Sequence, residues 1–172
     1  MAVGGRRAEQ QREFEEFARA RGTGLFRSAL LLCGDWHLAE DLTQTALARI
    51  YASWNRVRQA DNPEAYAHTV LVRAYLSHRR LRRSTEQPAL GELPEETAPG
   101  EDPTLRVALL AALARLAPKD RAVLVLRYWE DRSVEQTAAA LQLSAGTVRA
   151  RSLRALGRLR ALLGSQLDTF VT

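Results

Sequence analysis

Cysteine is almost missing from this chain. Cys33 stands alone, so no internal disulfide can form, and its place at the end of the apolar run Ala29 to Cys33 reads as a buried, reduced thiol. No stretch approaches the roughly 20 apolar residues that span a bilayer, and Met1 to Arg12 lacks the apolar core of a signal peptide. The expectation is a soluble protein of the cytoplasm without membrane insertion. Strand patterning is missing too, since no segment alternates apolar and polar residues with period two. The usual signatures of catalysis are also lacking. His37, His68 and His78 have no metal-ligand spacing with Cys33 or with paired acids, no glycine-rich loop is built to cradle a phosphate, and no nucleophile sits in a catalytic motif. A non-enzymatic chain with no metal and no cofactor is expected, its histidines lying on the surface or in the core.

Lysine is as scarce as cysteine: Lys119 is the only one, so arginine carries the net charge of +5 over 172 residues. An anionic partner is plausible on charge alone, but arginine richness can also reflect genome composition, so the placement of the charge has to decide. The 46% hydrophobic content is enough for one ordinary core or two small ones.

Composition divides the chain. Between Ser84 and Thr104, Pro88, Pro94, Pro99 and Pro103 break helices, and Glu86, Glu92, Glu95, Glu96, Glu101 and Asp102 bring negative charge without a single base. Residues 84–102 therefore read as a flexible, rather stretched acidic linker. It separates two small helical domains, 1–83 and 103–172, in an all-α protein.

In the first half, apolar residues recur at helical spacing in four stretches: around Phe14 and Phe17, from Leu25 to Leu32, from Trp36 to Trp54, and from Pro63 to about Arg83. In the third, Asp35 is placed as an N-cap, and Leu38, Leu42, Ala46, Ile50 and Trp54 repeat every four residues on a core-facing stripe. Asp41, Gln44, Thr45 and Ala48 share a different, polar or small face that is free to dock a partner. The fourth stretch ends in Arg79, Arg80, Arg82 and Arg83. One or two arginines complement a helix C-terminus; four in five positions point to nucleic acid.

In the second half, Asp102-Pro103 caps a helix with Leu105, Leu109, Leu113 and Leu116 on one face, and Pro118 opens another to about Trp129. Ser133-Val134-Glu135-Gln136 has capping-box spacing and starts a short helix to Leu141. After Gln142 and Leu143, Ser144 caps a further helix, with Thr147, Val148, Leu153, Leu156 and Leu159 on its inner side. Two helices so tightly joined, with small Ala138 at their crossing, read as a helix-turn-helix. The second carries Arg149, Arg151, Arg154, Arg158 and Arg160, and no acid occurs from Ala145 to Leu167. Such a helix suits the major groove, with Arg149 and Arg154 the best placed to read bases.

Together the halves resemble a bacterial sigma factor of the extracytoplasmic-function group, especially its actinobacterial SigE-like branch, over roughly Glu13 to Leu163. EFEEFARARG, ALLLCGD and AEDLTQTALARIYASW are similar to the family's region 2 core and polymerase-docking helix. The string LAPKDRAVLVLRYWEDRSVEQTAAALQLSAGTVRARSLRALGRLR resembles region 4. The resemblance implies a factor that binds core RNA polymerase and directs initiation at promoter DNA. Asp41, Gln44, Thr45 and Ala48 would meet the clamp coiled coil of the largest subunit, and region 4 would meet the flap. The loop Asn55 to Asn62, with Asn55, Arg56 and Asn62, and the basic helix after it, with Arg73, Arg79, Arg80, Arg82 and Arg83, would capture the −10 element as single strand. Ser144, Thr147, Arg149, Ala150, Arg151, Leu153, Arg154 and Arg158 would read the −35 element as duplex. An anti-sigma factor is a further partner that the family can bring. The chain departs from the family at Arg73, where Asn is usual, and at Gln142, where a small Gly is often found.

A self-sufficient regulator with a LuxR-like helix-turn-helix is the competing reading, and it requires a ligand pocket inside the first half. It leaves the docking helix and the arginine cluster before the linker without a role.

Overall fold

The computed structural model describes residues 2–82 and 102–164, and the side chains from residue 4 onward. The linker expected at 84–102, apart from Asp102, and Arg83 lie outside the described residues. Among those described, all regular structure is helical: α1 (Ala2–Cys33), α2 (Trp36–Ala52), α3 (Trp54–Arg58) and α4 (Pro63–Arg82), then α5 (Pro103–Ala114), α6 (Pro118–Leu124), a π-helical turn (Val125–Trp129), α7 (Val134–Leu141) and α8 (Ala145–Leu163).

The two stretches expected around Phe14 and from Leu25 form one helix of 32 residues. Gly22 and Gly24 do not break it. Each costs about 1 kcal/mol against alanine, and the burial of Leu25, Ala29, Leu30 and Leu32 just beyond them outweighs that. The helix stops where Gly34 takes φ +69°, with its N–H donating to the Leu30 carbonyl at 2.8 Å. Asp35 then caps α2, its Oδ1 accepting from the Leu38 N–H at 2.8 Å. The stripe on α2 is in the core as expected at Leu42, Ala46, Ile50 and Trp54, with Leu38 partly buried. Trp54 sits past a break at Ser53, on the short α3. The expected loop from Asn55 is thus half helix, because Trp54 and Val57 are both buried and draw that turn onto the core.

α1, α2 and α4 enclose one large core, with Phe14 and Phe17 closing it against Trp54 at centroid separations of 5.6 and 5.2 Å. The LuxR-like reading needed a ligand pocket here, and the space is taken by Leu25, Leu32, Ile50, Leu71, Val72 and Tyr75.

The second half is built on smaller clusters. Leu113, Leu116, Leu124 and Ala155 form one; Val123, Ala138 and Val148 form another at the crossing of α7 and α8. Ala122, Val125, Leu126 and Ala140 belong instead to the first half's core. The two halves therefore share buried apolar surface.

Candidate promoter and polymerase interface

The helix-turn-helix is fixed by its caps. Ser133 Oγ accepts from the Gln136 N–H at 3.0 Å, and Gln136 Oε1 accepts from the Ser133 N–H at 2.9 Å, completing the capping box. Ser144 Oγ accepts from the Thr147 N–H at 3.1 Å and shares a hydrogen bond with Thr147 Oγ1 at 2.8 Å, so both side chains serve the start of α8. Between the helices Gln142 has φ 55°, ψ 45°. This is a left-handed conformation that costs a side chain-bearing residue about 1–2 kcal/mol. A glycine there would avoid the cost, which is the physical content of this chain's departure at Gln142.

On α8, Arg149, Ala150, Leu153, Arg154 and Arg158 share one exposed face. Leu153 corrects the sequence reading that also put it on the inner side: it is 74% exposed, while Ser152 and Ala155 take the buried positions. Helical phase explains it, because Leu153 lies four residues after Arg149 and five after Val148. Arg151 is the other adjustment. It points along the opposite edge and donates to Asp120 Oδ1 of α6 at 2.7 Å, half-buried, so the cationic face is narrower than the arginine count implied. Arg149 lies 3.4 Å from Glu135 of α7, both well exposed, and this pair is worth little against solvent. Arg154 stacks back along its own helix, its Nε 3.4 Å from the Ala150 carbonyl.

The docking residues Asp41, Gln44, Thr45 and Ala48 are all exposed on α2. Asp41 also acts electrostatically on His78 of α4, whose pKa is lowered by burial first and by Arg82 and Arg79 next, with Asp41 opposing.

The residues expected at the −10 element are divided. Asn55, Arg56 and Asn62 are exposed, but Asn55 Oδ1 accepts from Gln10 at 2.7 Å and Asn62 Oδ1 caps α4 by accepting from the Ala65 N–H at 3.0 Å. Arg80 and Arg82 are exposed and Arg79 half-buried at the end of α4. Arg73 turns toward the second half, its Nε donating to the Ala140 carbonyl at 3.0 Å. Beside it α4 and the helix-turn-helix turn face each other across a cleft of about 820 Å³, lined by Arg73, Arg79, Arg80, Lys119 and Arg151. Sequence reasoning missed this juxtaposition, and it also missed the buried side chains at the seam: Ser28, His68, Arg121 and Arg132. Only the oddity of arginines inside apolar runs could have flagged Arg121.

Cys33 is half-buried at that seam and free, its Sγ donating to the Asp35 carbonyl at 3.3 Å. Burial pushes its thiol up to about 11, with the neighbouring Asp35 adding to the rise and its backbone hydrogen bond and Arg121 opposing it.

Residues 17–85 match the family model for Sigma-70 region 2, and residues 112–161 match that for Sigma-70 region 4. The RNA polymerase sigma-E factor of Streptomyces coelicolor is 44% identical over 161 residues, which cover 91% of this chain and 89% of that one. This chain is a sigma factor of the sigma-70 family, in its extracytoplasmic-function, SigE-like group. The ECF RNA polymerase sigma factor SigE of Mycolicibacterium smegmatis is 33% identical over 159 residues, covering 87% of this chain and 61% of that relative. Among solved structures, a sigma factor RpoE in complex with the anti-sigma factor NepR from Bartonella quintana superposes with TM-score 0.75 at 24% identity, over 88% of this chain and 96% of that one. That likeness is one of fold. As a sigma factor the chain binds core RNA polymerase and promoter DNA and directs promoter-specific initiation. Among the described residues no helix is long and apolar enough to cross a membrane.

Proposed function

We propose that the sigma factor divides its work by segment. Residues 1–83 dock on the polymerase clamp coiled coil through Asp41, Gln44, Thr45 and Ala48, and hold the −10 strand with Asn55, Arg56, Asn62, Arg79, Arg80, Arg82 and Arg83. Residues 103–172 read the −35 duplex through Arg149, Ala150, Leu153, Arg154 and Arg158, supported by Ser144, Thr147 and Arg151, and meet the flap. Residues 84–102 join the two as an acidic tether suited to a cationic channel. The chain works in the cytoplasm without catalysis of its own. An anti-sigma factor is a further partner, in keeping with the solved structure of similar fold, a sigma factor in complex with the anti-sigma factor NepR.

The observation that carries this reading is the exposed, acid-free face of α8, separate from an equally exposed polar face on α2. Alone, neither surface is large enough for tight selective binding. Promoter selectivity is therefore expected only with core polymerase. Transcription from a genomic promoter library with the chain and core polymerase tests this, beside promoter binding by the chain alone; tight selective binding without polymerase would overturn it. Asp41→Arg is expected to lose competition for core polymerase while melting as the parent does. Unchanged competition removes Asp41 from the docking face.

A further inference from the structure

The first turns of α1 lie outside the region 2 match, which begins at residue 17, while α1 is helical from Ala2. This helix is tied along its length to the segment that leads into α4. Gln10 Nε2 donates to Asn55 Oδ1 at 2.7 Å, Arg58 donates to Glu13 Oε2 at 2.8 Å, and Arg21 lies 3.0 Å from Glu64 Oε2. Helical spacing puts Gln10, Glu13 and Arg21 on one side of α1. Phe14, between them in sequence, packs its ring 4.9 Å from that of Tyr51. Such exposed ion pairs add little stability. Their effect is to set α1 as a wall beside α3.

Between that wall and the break from α2 to α3 lies a cleft of about 490 Å³, lined by Arg7 and Gln10 of α1, Tyr51 of α2, and Trp54, Asn55 and Arg56 of α3. No carboxylate lines it. The Tyr51 ring is 44% exposed although Phe14 packs against it. Trp54 is only 7% exposed, and its indole Nε1–H is buried without an acceptor among the described residues. Arg7 and Arg56 are exposed. We propose that this cleft holds one nucleotide of the promoter single strand beside the −10 element, so that Arg7, Gln10 and Tyr51 take part in promoter recognition. This rests on the assignment of Asn55 and Arg56 to the −10 strand given above.

A nucleotide brings a flat base, a polar base edge and a phosphate, and the cleft offers a group for each. The open side of the Tyr51 ring is a stacking platform that tolerates any base. Asn55 spends its oxygen on Gln10, which leaves its amide N–H groups as donors toward an acceptor on the base edge. Arg7 and Arg56 supply cations for the phosphates. The volume suits a single small ligand. A strand is favoured over a free nucleotide because Asn55 and Arg56 belong both to the cleft and to the −10 loop, so a strand held by the loop passes the cleft without a break.

The test uses holoenzyme formed from the full chain and core polymerase, on a promoter fork that is duplex upstream and single-stranded from the −10 element onward. An abasic nucleotide is stepped along the single strand. At one position beside the −10 element, loss of the base is expected to shorten the lifetime of the parent complex about tenfold and to leave that of the Tyr51→Ala complex unchanged. Arg7→Ala, at an exposed position that cannot unfold the chain, should lower the salt dependence of fork binding by about one unit of slope. Losses from Tyr51→Ala and the abasic nucleotide that multiply at every position, with parental salt dependence in Arg7→Ala, overturn the site. Binding of a deoxynucleoside monophosphate with no sensitive abasic position would make it a free-nucleotide site and also overturn the proposal. Tyr51 lies one turn beyond Ala48, so lost competition for core polymerase in Tyr51→Ala would assign it to the docking face instead. Indifference of the fork to Arg56→Ala and Arg80→Ala overturns the −10 assignment itself; if these two weaken binding while Tyr51→Ala and Arg7→Ala do not, only the cleft falls.

Discussion

The two halves solve the same problem with different means. α1, α2 and α4 are long and cross one another, so large side chains such as Ile50, Leu71 and Tyr75 meet in one interior. The second half has short helices whose crossing must be close, and its clusters are smaller: Leu113, Leu116 and Leu124 on one side, with Leu31 of α1 packed against them, and Val123, Ala138 and Val148 on the other. Small residues permit the tight helix-turn-helix but bury little area. Four more apolar residues, Ala122, Val125, Leu126 and Ala140, go into the first half's core. A reading head that must fit a groove leans on its neighbour for stability, while the docking half supplies most of the shared interior.

Leu126→Ala breaks that comparison most directly. If the core is shared, it should cost about 3 kcal/mol in denaturant unfolding, the same as Leu71→Ala in the first half; a loss below about 1 kcal/mol would show that Leu126 supports only its own half. Next in size is the Cys33 thiol. With its pKa near 11 against 9.0 for a free thiol, the folded chain at pH 8 should alkylate about a hundredfold more slowly than the unfolded one. The sign for stability follows: the unfolded thiol ionises first, so stability falls as pH rises from about 9 to 11. Opening the seam with Arg132→Met should speed alkylation at pH 8, and an unchanged rate would separate Cys33's protection from the second half.

On α8, Arg149→Ala should weaken −35-dependent initiation by about 1–3 kcal/mol and relax preference at one base pair. An equal loss on every sequence would make Arg149 a phosphate contact. Arg151→Ala, by contrast, should act through the lost contact to Asp120 and lower thermal stability with little change of sequence preference. The smallest effect is Gln142→Gly, expected to stabilise the second half by about 1 kcal/mol by relieving left-handed strain. A destabilised variant would show that the unfolded chain's gain in freedom outweighs that strain.

Much of this was legible from local rules. Asp35, Asp102, Ser133 and Ser144 cap helices because a short polar side chain before an apolar period satisfies free amides wherever it occurs. The stripe on α2, the exposed face bearing Asp41 and Gln44, and the cationic side of α8 follow from helical periodicity, which needs no partner to define it. Where local rules failed, a distant contact had decided. Gly22 and Gly24 stay helical because of what α1 packs on, and Leu153 faces out because Ser152 and Ala155 fit the crossing better.

The sequence by itself determined an all-helical chain in two parts, with a docking helix, a helix-turn-helix and an arginine-rich recognition face, since each depends on spacing within a few turns. Only the tertiary structure decided that Arg73 turns from the expected −10 surface to the end of α7, that Arg151 pairs with Asp120, and that Glu130 and Arg132 are buried against Ser28, His68 and Thr69. Those partners lie 31 to 102 residues away along the chain. A charged side chain looks the same in sequence whether it meets DNA, water or a helix end, and burial alone tells these apart.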